Sequence, residues 1–328
     1  MSRRVIAAII VLWTLVTLIT AIGMRIFGDA STAGMLLLFG PRWLLVLPWL
    51  LLLPLAWFAS RAIRVTALVG VIIGVFGVGQ FTVPWRRLAA SNAAGPRLRV
   101  LTWNTDRARP TVPRMRTMLA EWDADLILLQ DCSSTTATAL GADIFRDRAR
   151  WLFSDGEFCI RSRIPIDGVE AAPPEPTQGR GVRVHLTWNG APLTVVVLHL
   201  ESPRDALSAA RRGRAERLAT SLARRSEGSR RFADWALASP PPPNGALIVA
   251  GDFNLPYGGL PLRRDWGTLT NAFAESGWGW GYTMFAGRHR VRIDHILVGS
   301  AFTPLRTRVL RGYPSEHQPV VTELVLSR

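Results

Sequence analysis

The segment ALIVAGDFN, residues 246–254, decides how the chain is read. An apolar stretch of strand length runs straight into Gly251, Asp252, Phe253 and Asn254, so a carboxylate and an amide are presented together at a strand end. A plain surface turn can carry the same four residues, but loops beside rigid strands are also where reactive groups are held. Other stretches repeat the arrangement. Asn104 closes LRVLTW, Asp131 closes LILLQ, His199 closes LTVVVL, Asp294 stands near the start of IDHILV, and Glu316-His317 precedes PVVTELVL. Sheets align their strand ends, so these acid, amide and imidazole groups are expected to converge on one rim although they are far apart in sequence.

Around these ends the pattern predicts strands over 98–103, 125–130, 182–188, 193–198, 246–250, 292–298 and 320–326, with helices over 112–122 and most of 204–238. Asn189-Gly190 has the composition of a tight hairpin turn. The prolines at 240–243 stop the long arginine- and alanine-rich helix, whose charges read as a solvated face. Mixed strands and helices of this kind suit an α/β architecture of two packed sheets covered by helices.

The first quarter of the chain differs in kind. Residues 5–22, 35–59 and 65–83 are three apolar runs, each near the ~20 residues needed to cross a bilayer. A secretory signal explains only the first. Three transmembrane helices are therefore expected, giving a membrane anchor at 1–84, a linker at 85–96 and a second domain at 97–328. Pro48 and Pro54 should kink the second helix, Trp43, Trp49 and Trp57 mark its ends or pack in the bundle, and Gly70 and Gly74 give the third a weak pairing signal. An odd number of crossings puts the termini on opposite sides of a cell membrane, and the weight of the first helix leans toward an extracytoplasmic domain.

Every basic residue is arginine, and beyond Pro84 there are 33 of them against 23 acids. That excess favours anionic partners such as phosphate substrates, nucleic acid or lipid head groups. Cys132 and Cys159 are the only cysteines, which excludes a disulfide framework and a CxxC metal site. One bridge is open to them; two small, separately buried apolar side chains are the expectation.

In chain order, LTWNT, LLQD, LHL, GDFN, RIDHI and SEHQPV resemble the motifs of the endonuclease/exonuclease/phosphatase superfamily, the DNase I-like proteins. The resemblance covers about 97–326 and implies a four-layer α/β/β/α sandwich that uses a metal to help water attack a phosphoester. It implies His317 as general base or phosphate contact, with Asp294 holding its imidazole. Asp131 would bind Mg²⁺ or Mn²⁺, with Asn104 and Glu316 supporting the metal. Asp252 and Asn254 would orient nucleophile and phosphate, and His199 would donate to a phosphate oxygen or the leaving group. Two positions depart from the family habit in opposite directions: its metal-binding glutamate is here Asp131, and its aspartate before the final histidine is here Glu316. Each swap moves the carboxylate by roughly 1.5 Å.

Arg180, between Gly179 and Gly181, is assigned to substrate phosphate, with a solvated loop arginine as the alternative. His185, His289 and His295 read as structural, His295 because strand neighbours point to opposite faces. Trp278, Trp280 and Tyr282 either line a pocket or pack in the core.

Three helices would hold such a site near head groups. The combination looks like the VanJ-type teicoplanin-resistance membrane proteins, which implies a phosphate-containing, lipid-linked cell-envelope substrate such as a polyprenyl phosphate or pyrophosphate. A DNase I-like nuclease is the second reading. It calls for an extended basic groove, and the arginine-rich stretch 211–231 lacks interleaved aromatics. A third reading is a membrane-bound binding protein inactivated by the exchange at Asp131 and Glu316. Oligomeric state is not legible in the sequence.

Overall fold

Side chains alternate across each strand with a period of two, and here both faces of most central strands are apolar. Such strands must be covered on both sides. In the computed structural model, which describes residues 2–85, 95–106, 112–140, 151–173, 179–238, 246–286, 289–313 and 315–326, the strands after the apolar N-terminus run as follows. The first seven are β1 (Arg97–Asn104), β2 (Leu126–Gln130), β3 (Trp151–Ser154), β4 (Phe158–Ser162), β5 (Ile166–Ala171), β6 (Gly179–Trp188) and β7 (Ala191–Leu200). The remainder are β8 (Leu247–Asp252), β9 (Thr270–Asn271), β10 (Met284–Ala286), β11 (His289–Val291), β12 (Asp294–Val298), β13 (Phe302–Val309) and β14 (Val320–Leu326). They form one six-stranded sheet in the order β13-β14-β1-β2-β4-β3, a second in the order β5-β6-β7-β8-β12-β9, and a β10-β11 ribbon. Asn189 and Gly190, both with positive φ, make the expected hairpin turn between β6 and β7.

The helices are α1 (Arg3–Phe27), α2 (Thr32–Phe39), α3 (Trp43–Val46), α4 (Trp49–Ala56), α5 (Arg61–Ile72), α6 (Val112–Glu121), α7 (Ser134–Leu140), α8 (Arg204–Arg211), α9 (Ala215–Ala238), α10 (Leu260–Trp266) and α11 (Ala272–Ser276). Leu98, Val100, Leu126, Leu128, Val195, Val197, Ile248 and Ile296 fill the space between the sheets. Leu101, Trp103, Ile127 and Leu129, on the opposite face of the first sheet, pack on Met115 and Leu119 of α6. On the outer face of the second sheet, Val196, Leu198 and Val249 pack on Phe232 of α9 and Leu262 and Trp266 of α10. The result is an α/β sandwich of four layers, the DNase I-like architecture.

The N-terminal helices differ from expectation in one respect. α1 with the short turn after it, and α5 with its π-helical continuation Ile73–Val78, are each long and apolar enough to cross a membrane. The middle run is not one helix: α2 and the α3–α4 stretch are bent by 81° and make a third span only if the pair is counted as one. Gly40-Pro41 sits at the break, where proline cannot extend the preceding helix. Arg42 follows and turns inward, its Nη1 2.5 Å from Gln80 Oε1, so its charge is not left on an apolar surface. α1 and α5 pack closely enough that a Cβ on Gly70 would strike the Trp49 ring and Thr14 Oγ1.

These helices are joined to the sandwich by a common core. Met24 of α1, Met35 and Leu38 of α2 and Val78 are buried with Ala206 and Ala209 of α8, Leu218 and Leu222 of α9, and Met284, Val291 and Ile293. The prolines at 240–243 and most of the 85–96 linker lie outside the described residues.

Cys132 and Cys159 correct the expectation of two separate thiols. They are joined in a disulfide across 27 positions of sequence, linking the end of β2 to β4. Closing a loop of that length removes conformational freedom from the unfolded chain worth about 3–4 kcal/mol. Cys132→Ser should therefore lower unfolding stability by an amount of that order. Denaturant unfolding of the full chain in detergent, with and without reductant, checks it: reductant should destabilise the wild type and leave the variant unchanged.

Candidate active site and metal centre

The polar rim continues the inter-sheet core. Facing the second sheet, β1 carries Leu98, Val100, Thr102 and Asn104, and β2 carries Leu126, Leu128 and Gln130. From the other side β7 presents Val195, Val197 and His199, β8 Ile248, Ala250 and Asp252, and β12 Val298, Ile296 and Asp294. Each series turns polar at the same end. Gln130 Nε2 donates to Thr102 Oγ1 at 3.0 Å, so a satisfied polar layer separates oil from rim. Pairing sets Arg180 opposite His199, His199 opposite Asp252 and Asp252 opposite Asp294, one row across four strands.

Asp252 is the hub. Its Oδ2 accepts from Asn104 Nδ2 at 2.9 Å, a bond between the two sheets, and from Asn254 Nδ2 at 3.3 Å. The same oxygen lies 3.6 Å from His199 Nε2 and 3.8 Å from His317 Nδ1. His317 Nδ1 faces both oxygens of Asp294 at 3.0 and 3.1 Å, leaving its other nitrogen free for the site. His199 Nδ1 faces Glu157 Oε1 at 2.6 Å. Two carboxylate–imidazole pairs thus flank one buried aspartate.

Local backbone geometry aims these groups. At Gly251, φ is +142° and a Cβ would stand 2.0 Å from the Leu198 carbonyl, so only glycine lets β8 and β7 approach here. Asp131 and Asn254 hold positive φ, which side chains of their type tolerate. Thr283 Oγ1 accepts from the Asp294 N–H, and Ser315 Oγ accepts from the His317 N–H while donating to the Asn104 carbonyl. Beneath the Asp252–Asn254 turn, buried Arg225 donates from Nη2 to the Asn254 carbonyl at 2.6 Å. That Nη2 lies 3.9 Å from Asp29, the buried acid between α1 and α2, so the N-terminal helices reach the backbone of the site.

The sequence-assigned residues fall into three groups. Asn104, Asp252, Asn254, Asp294, His317 and His199 meet in the network described above. Asp131 joins Glu157 and His199, their ligand atoms within 4.8 Å of one another, and Asp252, Asp294 and His317 form a second such group. Glu316 enters neither: its neighbour His317 points inward, so Glu316 points out, and it pairs with Arg204 at 3.2 Å. Arg180 is exposed, but it lies in β6 rather than a loop, and its charge reaches Glu157. His295 faces away from the site as expected, bonded to the Leu255 carbonyl at 2.9 Å, and His185 is exposed. Glu157 escaped sequence reading because β3 and β4 are short; the signal was present in the acid just before FCIRS, one more strand-end carboxylate.

The donor sets suit a hard divalent ion, which prefers carboxylate oxygen. Asp131, Glu157 and His199 are half-buried and still reach solvent, so an ion there can keep bound water. The second group is fully buried, and its oxygens are already engaged by Asn104, Asn254 and His317. The first therefore fits the ion better.

Burial alone would lower the His317 pKa, but Asp294 and Asp252 beside it win and push it up to about 9. For His199, burial again opposes the charge, and Glu157, Asp252 and Asp131 overcome it, so its pKa is raised. Burial would raise Glu157, yet the bond and charge of His199 hold it below its ordinary value. His317 thus keeps both ring protons at neutral pH in the metal-free protein, and His199 is shifted in the same direction.

The sequence model of the Endonuclease/Exonuclease/phosphatase family matches residues 101–317. The chain belongs to that family. Its members are generally metal-dependent phosphoester hydrolases and nucleases. Among solved structures, a humanized TDP2 from D. rerio is similar with a TM-score of 0.52 and 19% identity, over 70% of this chain and 98% of that one. An endonuclease/exonuclease/phosphatase family protein from Bacteroides thetaiotaomicron gives 0.52 and 16%, over 71% and 96%. One from Beutenbergia cavernae gives 0.52 and 18%, over 70% and 72%. At such identities the likeness concerns the fold. Sequence comparison with curated proteins gives no significant match.

His317 carries a testable pH dependence. Its folded pKa of about 9 lies above the unfolded value of roughly 6.5. Its contribution to metal-free stability is therefore complete below pH ~6.5 and is lost as pH rises through about 9. His199 acts in the same direction. Thermal unfolding in EDTA should show wild-type stability falling over that interval, and His317→Gln should flatten the fall.

Proposed function

We propose that the protein is a membrane-anchored, divalent-metal-dependent phosphoesterase that hydrolyses a phosphate ester or pyrophosphate at the membrane surface, on a lipid-linked cell-envelope substrate. One observation carries this reading. α2 shares a core with Met284, and Met284 pairs through its backbone with His317, so the strand that borders the imidazole is packed into the same core as the apolar N-terminal helices. A substrate whose phosphate reaches His317 while its hydrocarbon stays in the bilayer suits that closeness, and tethering raises its local concentration.

In this reading Asp294 holds the His317 ring, whose outward N–H, still protonated at neutral pH, donates to the scissile phosphate. Glu157 holds His199 so that its Nε2 donates to a phosphate oxygen or to the leaving group. Asn254 and Asp252 orient phosphate and water, and Arg180 meets the phosphate from the solvent side. Mg²⁺ or Mn²⁺ held by Asp131 and Glu157 beside Asn104 would neutralise phosphate charge. Glu316, turned to Arg204, shapes the rim. The likeness to VanJ-type proteins directs the choice of substrate toward cell-wall precursors and glycopeptide resistance. The disulfide supports an extracytoplasmic domain, since such bonds persist in oxidising compartments.

Full-length protein in lipid nanodiscs should release phosphate from a polyprenyl pyrophosphate with Mn²⁺ or Mg²⁺ and not with EDTA. His317→Ala should reduce that turnover by about 10²-fold or more. DNA cleavage that disappears in His317→Ala, with the lipid left intact, would replace this reading by a nuclease. Thiol alkylation in intact cells tests sidedness: Cys132 and Cys159 should resist modification until reductant is added, and immediate labelling would place the domain in the cytoplasm.

A further inference from the structure

Phe81 stands three residues beyond the end of the Arg61–Val78 apolar helix. Its ring meets Trp280 edge-on at 5.0 Å and Trp278 at 5.6 Å. The arrangement is fixed by backbone, because Thr82 and Gly279 exchange two hydrogen bonds of 2.9 Å. Neither tryptophan is a core residue: Trp278 is 69% exposed and Trp280 45%. Trp85, also 69% exposed, follows in the chain.

Phe81, Trp278 and Trp280 line an open groove of about 720 Å³ that Arg306, Arg308 and Arg311 also line. Among the described residues no acid lines it and no carboxylate forms a salt bridge with any of the three arginines, although Glu121 and Glu323 stand with Arg306 and Arg308 around a neighbouring groove. Arg306 and Arg308 belong to β13, the edge strand of the first sheet. Charges on an edge deter strand pairing, but that role needs no exposed tryptophans beside them. Aromatic rings with a wet and a dry end concentrate at the level of lipid head groups, and arginines just outside a bilayer are drawn to anionic lipid. The groove combines both and lies where the last apolar helix ends.

We propose that the groove lined by Phe81, Trp278 and Trp280 and by Arg306, Arg308 and Arg311 binds the phosphate head groups of anionic phospholipids in the anchoring membrane, seating the sandwich against the bilayer. This rests on the reading that Arg3–Phe27 and Arg61–Ile72 lie in that bilayer. The head-group site is separate from the His317 centre and sets the standing orientation of the domain.

Hydrogen–deuterium exchange of the full chain in nanodiscs tests it, comparing phosphatidylcholine alone with a mixture containing phosphatidylglycerol. Anionic lipid should slow exchange several-fold at 278–282 and 302–311. The triple variant Arg306→Gln, Arg308→Gln, Arg311→Gln should lose most of that difference while keeping the wild-type unfolding temperature. Equal exchange in both discs, or a difference that survives in the triple variant, overturns the proposal. So does slowing by a single-stranded oligonucleotide where anionic lipid has no effect, which would make the groove a nucleic-acid site. The apolar helices separate the two levels of failure. If they stay protected in both discs, the head-group site alone falls; if they exchange freely, the membrane reading falls with it.

Discussion

The pairing of β7, β8 and β12 places His199, Asp252 and Asp294 in one row, and the site rests on that register. Because the side-chain period is two, a slip of one residue would turn all three to the helix-covered face and bring Leu198 and Phe253 to the rim. The apolar layers below make such a slip costly, since Val195, Val197, Ile248 and Ile296 would leave the inter-sheet core together. Fold stability and reactive geometry are thus two expressions of one alternation. The Asn104–Asp252 bond then fixes how the two sheets face each other where it matters.

Much of this was legible because strand and motif coincide. Asn104, Asp131, His199 and Asp252 each sit where an apolar run stops and Asp294 where one starts, so the sequence marks both the strand and its polar end. Glu157 was hidden by brevity: β3 and β4 are four and five residues long, too short for periodicity to declare itself. The disulfide was hidden for a related reason, since nothing local states that the end of β2 lies beside β4. Glu316 shows a different limit. Its place in the motif suggested a ligand, whereas the alternation of neighbouring side chains turned it toward Arg204. Trp278 and Trp280 could be read as pocket or core, and exposure rather than sequence decided against the core.

Electrostatics divides the work among the imidazoles. His317 and His199 are each clasped by a carboxylate and both look toward Asp252, while His295, one residue from Asp294, is hydrogen-bonded to no carboxylate; burial and the Arg292 charge outweigh the Leu255 carbonyl and Asp252, and its pKa falls to about 3. Burial depresses a histidine, and at His317 and His199 a directly paired carboxylate outweighs it. Adjacent positions on one strand therefore serve opposite ends, one facing the reacting groups and the other locking β12 to the Leu255 carbonyl.

The core shared by α2 and the sandwich bears on whether the two can be parted. Ala206, Leu218, Met284, Val291 and Ile293 are covered by residues that in most two-part proteins would belong to a separable leader. A copy of the sandwich without these helices would carry that oily face uncovered, and the buried Asp29 would no longer stand beside Arg225. Severing the chain at that boundary would thus expose apolar surface on both sides, and volume changes in α2 are felt by α8 and α9 through the shared core. The apolar N-terminal helices and the sandwich thus share one folding unit rather than standing as separable parts.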